Sequence, residues 1–280
     1  MLAVIVDPQE ARIDLEDSEK PAEFVEGLAK GLAVIEAFDA DHGEMTLSEV
    51  ARRIDASPSS ARRSLLTLMA LGYVGQKNKR FHLRPKVMAL GSAYYVSARI
   101  EDLLKPELKR MVDTYGDASS VGTLDGTEVI YIAHVSVQHA RRATAVIGAR
   151  YPAHATSLGR VLLAGLSDAA LDAYLDRMTP QALTRHTVTD KDALRAIILQ
   201  ARADGYAATV DQLDYGITAL AVPIHGTGNE VVAAVNSSGY TGLLTPQTLV
   251  DERLFALRAA ATAISATIAR YPVLSAAISP

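Results

Sequence analysis

TLSEVARRIDASPSSARRSLLTLMALGYVGQKNKRFHLR, residues 46–84, falls into three pieces, and their reading decides the rest of the chain. In the first, Leu47, Val50, Ala51 and Ile54 follow the i, i+3, i+4, i+7 spacing of a helix with one apolar face. The second opens with Ser57 at an N-cap and Pro58 at the first helical position, where a missing N–H costs nothing. Its buried face is then expected at Ala61, Leu65, Leu68 and Met69, which turns Ser59, Ser60, Arg62, Arg63 and Thr67 outward. Asp55-Ala56-Ser57 joins two short helices, the pattern of a helix-turn-helix. In the third piece Tyr73, Val74, Phe81, His82 and Leu83 flank a basic loop, Gln76-Lys77-Asn78-Lys79-Arg80, which reads as a β-hairpin wing. A winged helix-turn-helix presents its second helix to a DNA major groove.

Charge points the same way. Between residues 50 and 86 the basic side chains are Arg52, Arg53, Arg62, Arg63, Lys77, Lys79, Arg80, Arg84 and Lys86, against Asp55 as the sole acid. The whole chain carries a formal net charge of −4, so the basic excess is local. A solvated helix face is the plain alternative, but turn, cap, wing and charge coincide on one stretch, as a polyanion-binding face requires.

The length of 280 residues accommodates two domains, and a hydrophobic fraction of 49% is enough to pack both. Without cysteine there is no disulfide and no thiolate metal site, which fits a reducing cytoplasm. Residues 1–6 are apolar but too short and unflanked for a secretory signal. No apolar run approaches the roughly 18 residues that span a bilayer, so a soluble chain with no membrane partner is expected.

Residues 1–22 read as an acidic disordered tail. A supporting helix follows over 24–38, with Val25, Leu28, Leu32, Ile35 and Phe38 on its expected inner stripe. After the wing, 86–101 reads as a linker helix through Val87, Met88, Leu90, Tyr94 and Tyr95. Gly91 is an expected kink, and Leu90, Tyr94 and Tyr95 are expected either to pack on their own domain or, the preferred reading, to pair this helix with a second subunit. A helix over 106–115 precedes two β runs, 118–124 and 128–135, around the hairpin signal Asp125-Gly126. Further strands are expected over 143–147, 206–210, 219–224 and 230–237. Helices are expected over 158–165, 168–178, 190–204 and 246–271, and 273–280 reads as a C-terminal tail. Strands in an antiparallel sheet with flanking helices make this second part an α+β sensor-like domain.

Catalytic constellations are missing from the pattern. There is no Gly-x-Ser-x-Gly elbow, no Gly-x-x-x-x-Gly-Lys loop and no His-Glu-x-x-His. Gly226-Thr-Gly228 lies between two strands and reads as a turn, and His134 and His139 have the wrong spacing for one face. No catalytic residue, metal site or cofactor is therefore assigned. What remains is a set of polar edge residues. Ser157 stands near a helix N-terminus, which favours a carboxylate. Asp211 begins a loop leading into a strand, and Asn236-Ser-Ser238 ends another. Each alone is ordinary turn chemistry; together they suit a small anionic molecule.

Residues 23–38, 46–51, 61–63 with 71–74, 151–164 and 232–238 carry a specific resemblance to the IclR family of bacterial transcriptional regulators. It runs from about Glu23 to Tyr271, with the motifs in order, and is nearest the branch that controls protocatechuate, 4-hydroxybenzoate and other β-ketoadipate-pathway genes. The resemblance implies a winged-helix domain (23–85), a linker helix (86–101) and a GAF-like effector-binding domain (102–272). The partners it implies are double-stranded operator DNA, a small carboxylate or aromatic-acid effector, a homodimer that associates into a tetramer, and RNA polymerase if the protein activates. Ser57, Ser59, Ser60, Arg62, Arg63, Thr67, Lys77, Lys79 and Arg80 are the expected DNA contacts. Ser157, Leu158, Asp211, Ile217, Ala219, Asn236 and Ser238 are carried over as effector contacts. Thr218-Ala219 departs from the Arg-Ser common in that branch, which is expected to remove a bidentate carboxylate partner. An enzyme with an accessory DNA-binding-like domain, and a DNA-binding protein without effector, are the alternative readings.

Overall fold

The computed structural model describes residues 21–39, 41–137 and 145–278. The acidic segment before Pro21, His139 and the first two residues of the strand expected over 143–147 lie outside these. The chain divides into two compact units, one ending at Ala93 and one beginning at Tyr94.

In the first unit, α1 (Glu26–Glu36) is followed by a two-residue strand, β1 (Met45–Thr46), then α2 (Leu47–Arg53) and α3 (Pro58–Leu71). Helix α2 starts where Thr46 and Glu49 cap each other reciprocally, satisfying two N–H groups that have no intrahelical acceptor. The turn into α3 places Asp55 at φ +46°, Ser57 accepts from Ser60 N–H, and Gly72 at φ +84° ends the helix in the left-handed region. Strands β2 (Val74–Lys77) and β3 (Arg80–Leu83) then form the wing around Asn78 and Lys79, both at positive φ, and β1 adds to its inner edge.

The core of this unit joins Val34, Val50, Ile54, Ala61, Leu65, Leu68, Val74 and Phe81. The stripe expected on α1 is corrected. Val25, Leu28 and Leu32 are exposed, while Ala33, Val34 and Ala37 are buried, with Ile35 and Phe38 half-buried. Val25 is the N-cap and Phe38 lies past the last turn, so neither belongs to the helical period, and alanines bring α1 close to α3.

A 3₁₀ turn (Pro85–Val87) leads into α4 (Met88–Ser97), which runs unbroken through Gly91. The break falls instead at Arg99, φ +53°, before α5 (Ile100–Leu103) and α6 (Lys105–Tyr115). Tyr94 and Tyr95, expected to meet a second subunit, pack on the core of their own chain, and the Tyr94 hydroxyl donates to Ala277 O. Leu90 is exposed.

The second unit is built on strands β4 (Ala118–Asp125), β5 (Glu128–Ser136), β6 (Arg150–Pro152), β7 (Ala207–Val210), β8 (Ile217–His225) and β9 (Val231–Tyr240). They form an antiparallel sheet in the order β6-β5-β4-β9-β8-β7. The strand expected over 143–147 is displaced: residues 145–147 are irregular and pairing with β5 begins at Arg150. One face packs on α6, α10 (Pro246–Arg270) and α11 (Pro272–Ile278), through Leu108, Leu220, Val222, Val235, Leu257 and Ile264. The other packs on α7 (Ser157–Ala164), α8 (Asp168–Arg177) and α9 (Lys191–Asp204), through Leu158, Leu162, Leu171, Leu194, Ala221 and Ala234. Helices on both faces explain why β8 and β9 read as almost continuous apolar runs. Residues 273–278 are not a free tail, since Leu274 and Ile278 of α11 are buried.

Candidate DNA-binding face and effector site

Helix α3 turns Ser59, Arg62, Arg63, Leu66, Thr67 and Ala70 outward, the stripe opposite Ala61, Leu65 and Leu68. Among the described residues, Arg62 and Arg63 make no ion pair or side-chain hydrogen bond, and neither do Lys77 and Lys79 on the wing. Three of the other basic side chains are partly committed. Arg53 is buried against Ala37 O and pairs with Asp39 at 2.7 Å. Arg80 donates to Glu44 O and lies 3.5 Å from Glu49. Lys86 donates to Leu71 O at the end of α3 and lies over the Tyr73 ring. Among the described residues of the first unit, exposed basic side chains without a partner are thereby left on α3, at the wing tip and at Arg84 after the wing. Ser57 is occupied as the α3 cap and shares a hydrogen bond with Ser59, and the Thr67 hydroxyl donates back to Arg63 O. Ser60 is only half-exposed.

In the second unit the sheet face under α7 gathers a polar group. Side chains alternate across a strand, so Ile217, Ala219 and Ala221 of β8 share this face with Ala234, Asn236 and Ser238 of β9. The register Ala221↔Asn236, Asn236↔Ser120 and Ser120↔His134 continues the row across four strands. Asn236 Oδ1 accepts from Ser120 N–H at 2.8 Å, and Ser120 Oγ shares a hydrogen bond with His134 Nδ1 at 2.9 Å. His134 Nε2 is buried without a partner, and burial holds the imidazole pKa below its ordinary value, which favours the neutral ring.

Helix α7 lies along β9 with its N-terminus toward this row. Its C-terminal Gly165 abuts Val231, while Leu158 reaches Gly122, the partner of Ala234. Gly159 permits the helix start to press on the preceding turn, because a Cβ there would stand 2.1 Å from Ala153 O. Thr156 is the cap, accepting from Gly159 N–H at 2.9 Å. Ser157 therefore sits one place inside the helix, 1% exposed, and its Oγ has no partner.

Arg160, one turn on, is 4% exposed. Its Nε donates to His154 O at 2.9 Å and its Nη2 to Gln212 Oε1 at 2.7 Å. Burial lowers its pKa to about 10. Gln212 also accepts from Val188 N–H and donates to His186 O, while Thr184 and Thr187 donate to Asp211 O and Gln212 O. The segment 184–188 is thus tied to the loop after β7.

The "Bacterial transcriptional regulator IclR C-terminal" family pattern matches residues 92–266, more than half of the chain, and the "IclR helix-turn-helix domain" pattern matches 27–78. The chain belongs to the IclR family. It is 36% identical over 239 residues to the Pca regulon regulatory protein of Pseudomonas putida, covering 85% of this chain and 82% of that one. A crystal structure from Rhodococcus sp. RHA1 is 42% identical with a TM-score of 0.72, covering 87% and 98% of the two chains. An IclR homologue from Microbacterium hydrocarbonoxydans, solved with 4-hydroxybenzoate, is 25% identical with a TM-score of 0.69, covering 89% and 99%. The protein is an IclR-type transcriptional regulator with a helix-turn-helix and an effector-binding domain.

In this IclR chain Ile217, Ala219, Asn236 and Ser238 share one sheet face, and Ser157 and Leu158 begin the helix that covers it. Leu158 is itself fully packed in the core, so only its backbone N–H faces the helix end. Asp211, at φ +51°, accepts through Oδ1 from Gly216 N–H and from the Thr241 hydroxyl, which makes it a clasp for the 211–216 loop. Thr218 is on the opposite face, bonded to Thr241. An arginine at 218 would therefore point away from Ala219, which corrects the weight given to its loss. Arg160, Ser120 and His134 were missed from sequence. An arginine within Leu158–Ala164, an otherwise apolar helix, is a usable signal. The Ser120–His134 pairing has none, because the hairpin register brings it together.

Among the described residues no three His, Asp or Glu side chains are grouped to hold a metal. No single described helix is long and apolar enough to cross a membrane.

Proposed function

We propose that this regulator binds an operator through α3 and the wing, and that a small aromatic carboxylate, bound in the second unit, sets its affinity. Residues 23–85 act as the DNA-binding domain, 86–101 as the linker and 102–272 as the effector domain. Arg62 and Arg63 read bases and phosphates in the major groove, with Ser59, Ser60 and Thr67 beside them, while Lys77, Lys79 and Arg80 grip the backbone. Leu66 adds an apolar contact suited to a thymine methyl. Ser57 contributes by fixing the start of the helix.

The effector lies between the α7 N-terminus and the row Ile217, Ala219, Asn236 and Ser238. The name of the Pseudomonas relative and the 4-hydroxybenzoate held by the Microbacterium homologue support an aromatic acid and control of its catabolic genes. The protein works in the cytoplasm as a two-fold dimer, assembling further to a tetramer, by binding and not by turnover. It meets RNA polymerase if it activates. Two recognition helices about 34 Å apart call for an imperfect palindrome.

One observation carries this reading: two guanidinium groups without partners among the described residues stand side by side on a helix capped at both ends, while Arg53 and Lys86 nearby are tied into the fold. Fluorescence anisotropy with DNA flanking the gene tests it. Specific binding is expected at least about 10³-fold above random DNA. 4-Hydroxybenzoate or protocatechuate should shift that affinity about 5- to 150-fold. Equal affinity for random DNA, or no response to either acid, would overturn the respective half.

A further inference from the structure

Arginines taken out of water normally bring an acid with them, because the desolvation cost of a lone cation is severe. Three of the buried or half-buried arginines here obey that rule. Arg53 pairs with Asp39, Arg150 with Asp125 and Glu128, and Arg253 with Asp117. Arg160 does not. Its guanidinium meets two neutral acceptors, His154 O and Gln212 Oε1, and no described Asp or Glu lies within ion-pairing distance.

Its surroundings suit an anion. Side chains three apart lie on the same side of a helix and lean toward its N-terminus, so Arg160 reaches back to the start of α7. There the N–H groups of Ser157 and Leu158 have no intrahelical acceptor, and the helix dipole is positive. The Ser157 hydroxyl, 1% exposed, is an unused donor at the same end. The floor beneath is mixed: Ile217, Ala219 and Ala221 offer apolar surface, Asn236 and Ser238 polar edges.

We propose that Arg160 is the counter-ion of the effector's carboxylate, holding it together with Ser157 at the head of α7. This rests on the reading that the second unit binds a small organic acid. The carboxylate enters with its apolar body over Ala219 and Ala221, and neutralises a charge the fold leaves uncompensated. Charge recognition in this chain therefore comes from the helix and not from β8, where Thr218 points to the other face.

The test is calorimetric titration of the full chain, and of R160Q and R160K, with 4-hydroxybenzoate and with 4-hydroxybenzamide, its neutral isostere. The wild type should prefer the acid at least tenfold. R160Q should lose acid affinity at least 30-fold and bring the acid-to-amide ratio near one, while R160K should keep most of the preference. A wild-type ratio in R160Q, even with both affinities lowered together, would overturn the proposal and mark an arginine that merely holds segment 184–188. If R160Q does not fold, R160K and the wild-type ratio decide. Equal wild-type affinity for acid and amide would remove Arg160 while leaving the effector site standing. A wild type that binds none of 4-hydroxybenzoate, benzoate, protocatechuate and pyruvate would remove both.

Discussion

Replacing Arg62 and Arg63 together by alanine separates the reading of α3 from every other part of the protein. Both side chains are exposed and make no bond within the described chain, so folding stability should change by less than about 0.5 kcal/mol. The effect on DNA should be large. On α3 and the wing tip each subunit presents four cations without partners among the described residues, Arg62, Arg63, Lys77 and Lys79. A two-fold pair then offers eight, and log K should fall with log[salt] at a slope near −7. Removing the two arginines from each subunit leaves four, and the slope should drop to about −4. At roughly 1–3 kcal/mol per arginine, the pair loses at least about 4 kcal/mol, or 10³-fold in affinity. Anisotropy titrations of a labelled operator at four salt concentrations read both numbers, with a thermal melt as the folding control. An unchanged slope with affinity within threefold of wild type would refute α3 as the reading helix. A reduced slope with full discrimination between operator and random DNA would confine the arginines to phosphate.

Two further outcomes test the second unit. Gly159→Ala drives a methyl against backbone that cannot yield, Ala153 O and Cα. It should cost about 3 kcal/mol or more in urea unfolding, and a loss under 0.5 kcal/mol would contradict the close approach of α7 to its preceding turn. His134 and His154 are both held below their ordinary pKa of 6.5, by burial first in each case. A group with a depressed folded-state pKa is neutral in the fold while the unfolded chain takes up a proton. Stability is then full above about pH 6.5 and falls as pH drops through the lower folded values. Melting temperatures at pH 7.5 and 5.0 should show that loss, and His134→Gln should lessen it; a pH-independent melt would sink the argument.

Much of the first unit was legible because its signals are local. The Ser57 cap, Pro58 and the 3.6-residue period of Ala61, Leu65 and Leu68 are set by neighbours along the chain, and they located the start of α3 and its buried face. The wing followed from a basic loop between β-leaning runs. The Asp125-Gly126 hairpin and the turn at residues 225–229 were equally local. Helix α1 shows the limit. Its expected stripe overran the helix at both ends, and the core took Ala33, Val34 and Ala37 in place of Val25, Leu28 and Leu32. Period alone does not say which of two adjacent faces a neighbour of given shape accepts. The same limit applied to Tyr94 and Tyr95, whose apolar bulk was visible but whose cover, the second unit's core, was not.

By itself the sequence determined the class of the protein: two units, a capped recognition helix beside a basic wing, and an antiparallel sheet between helices. Those features depend on residues a few places apart, where backbone geometry and capping chemistry act directly. Only the tertiary structure decided which charges are paired, since Arg53 and Arg62 look alike until Asp39 is found beside one and, among the described residues, no acid beside the other. It also decided which polar groups gather on the sheet face under α7. Strand register puts Asn236, Ser120 and His134 in one row and sends Thr218 to the opposite face, while Arg160 of α7 is buried against His154 O and Gln212 Oε1. Pairings between residues 14 to 117 positions apart come from sheet register, which no short-range pattern encodes.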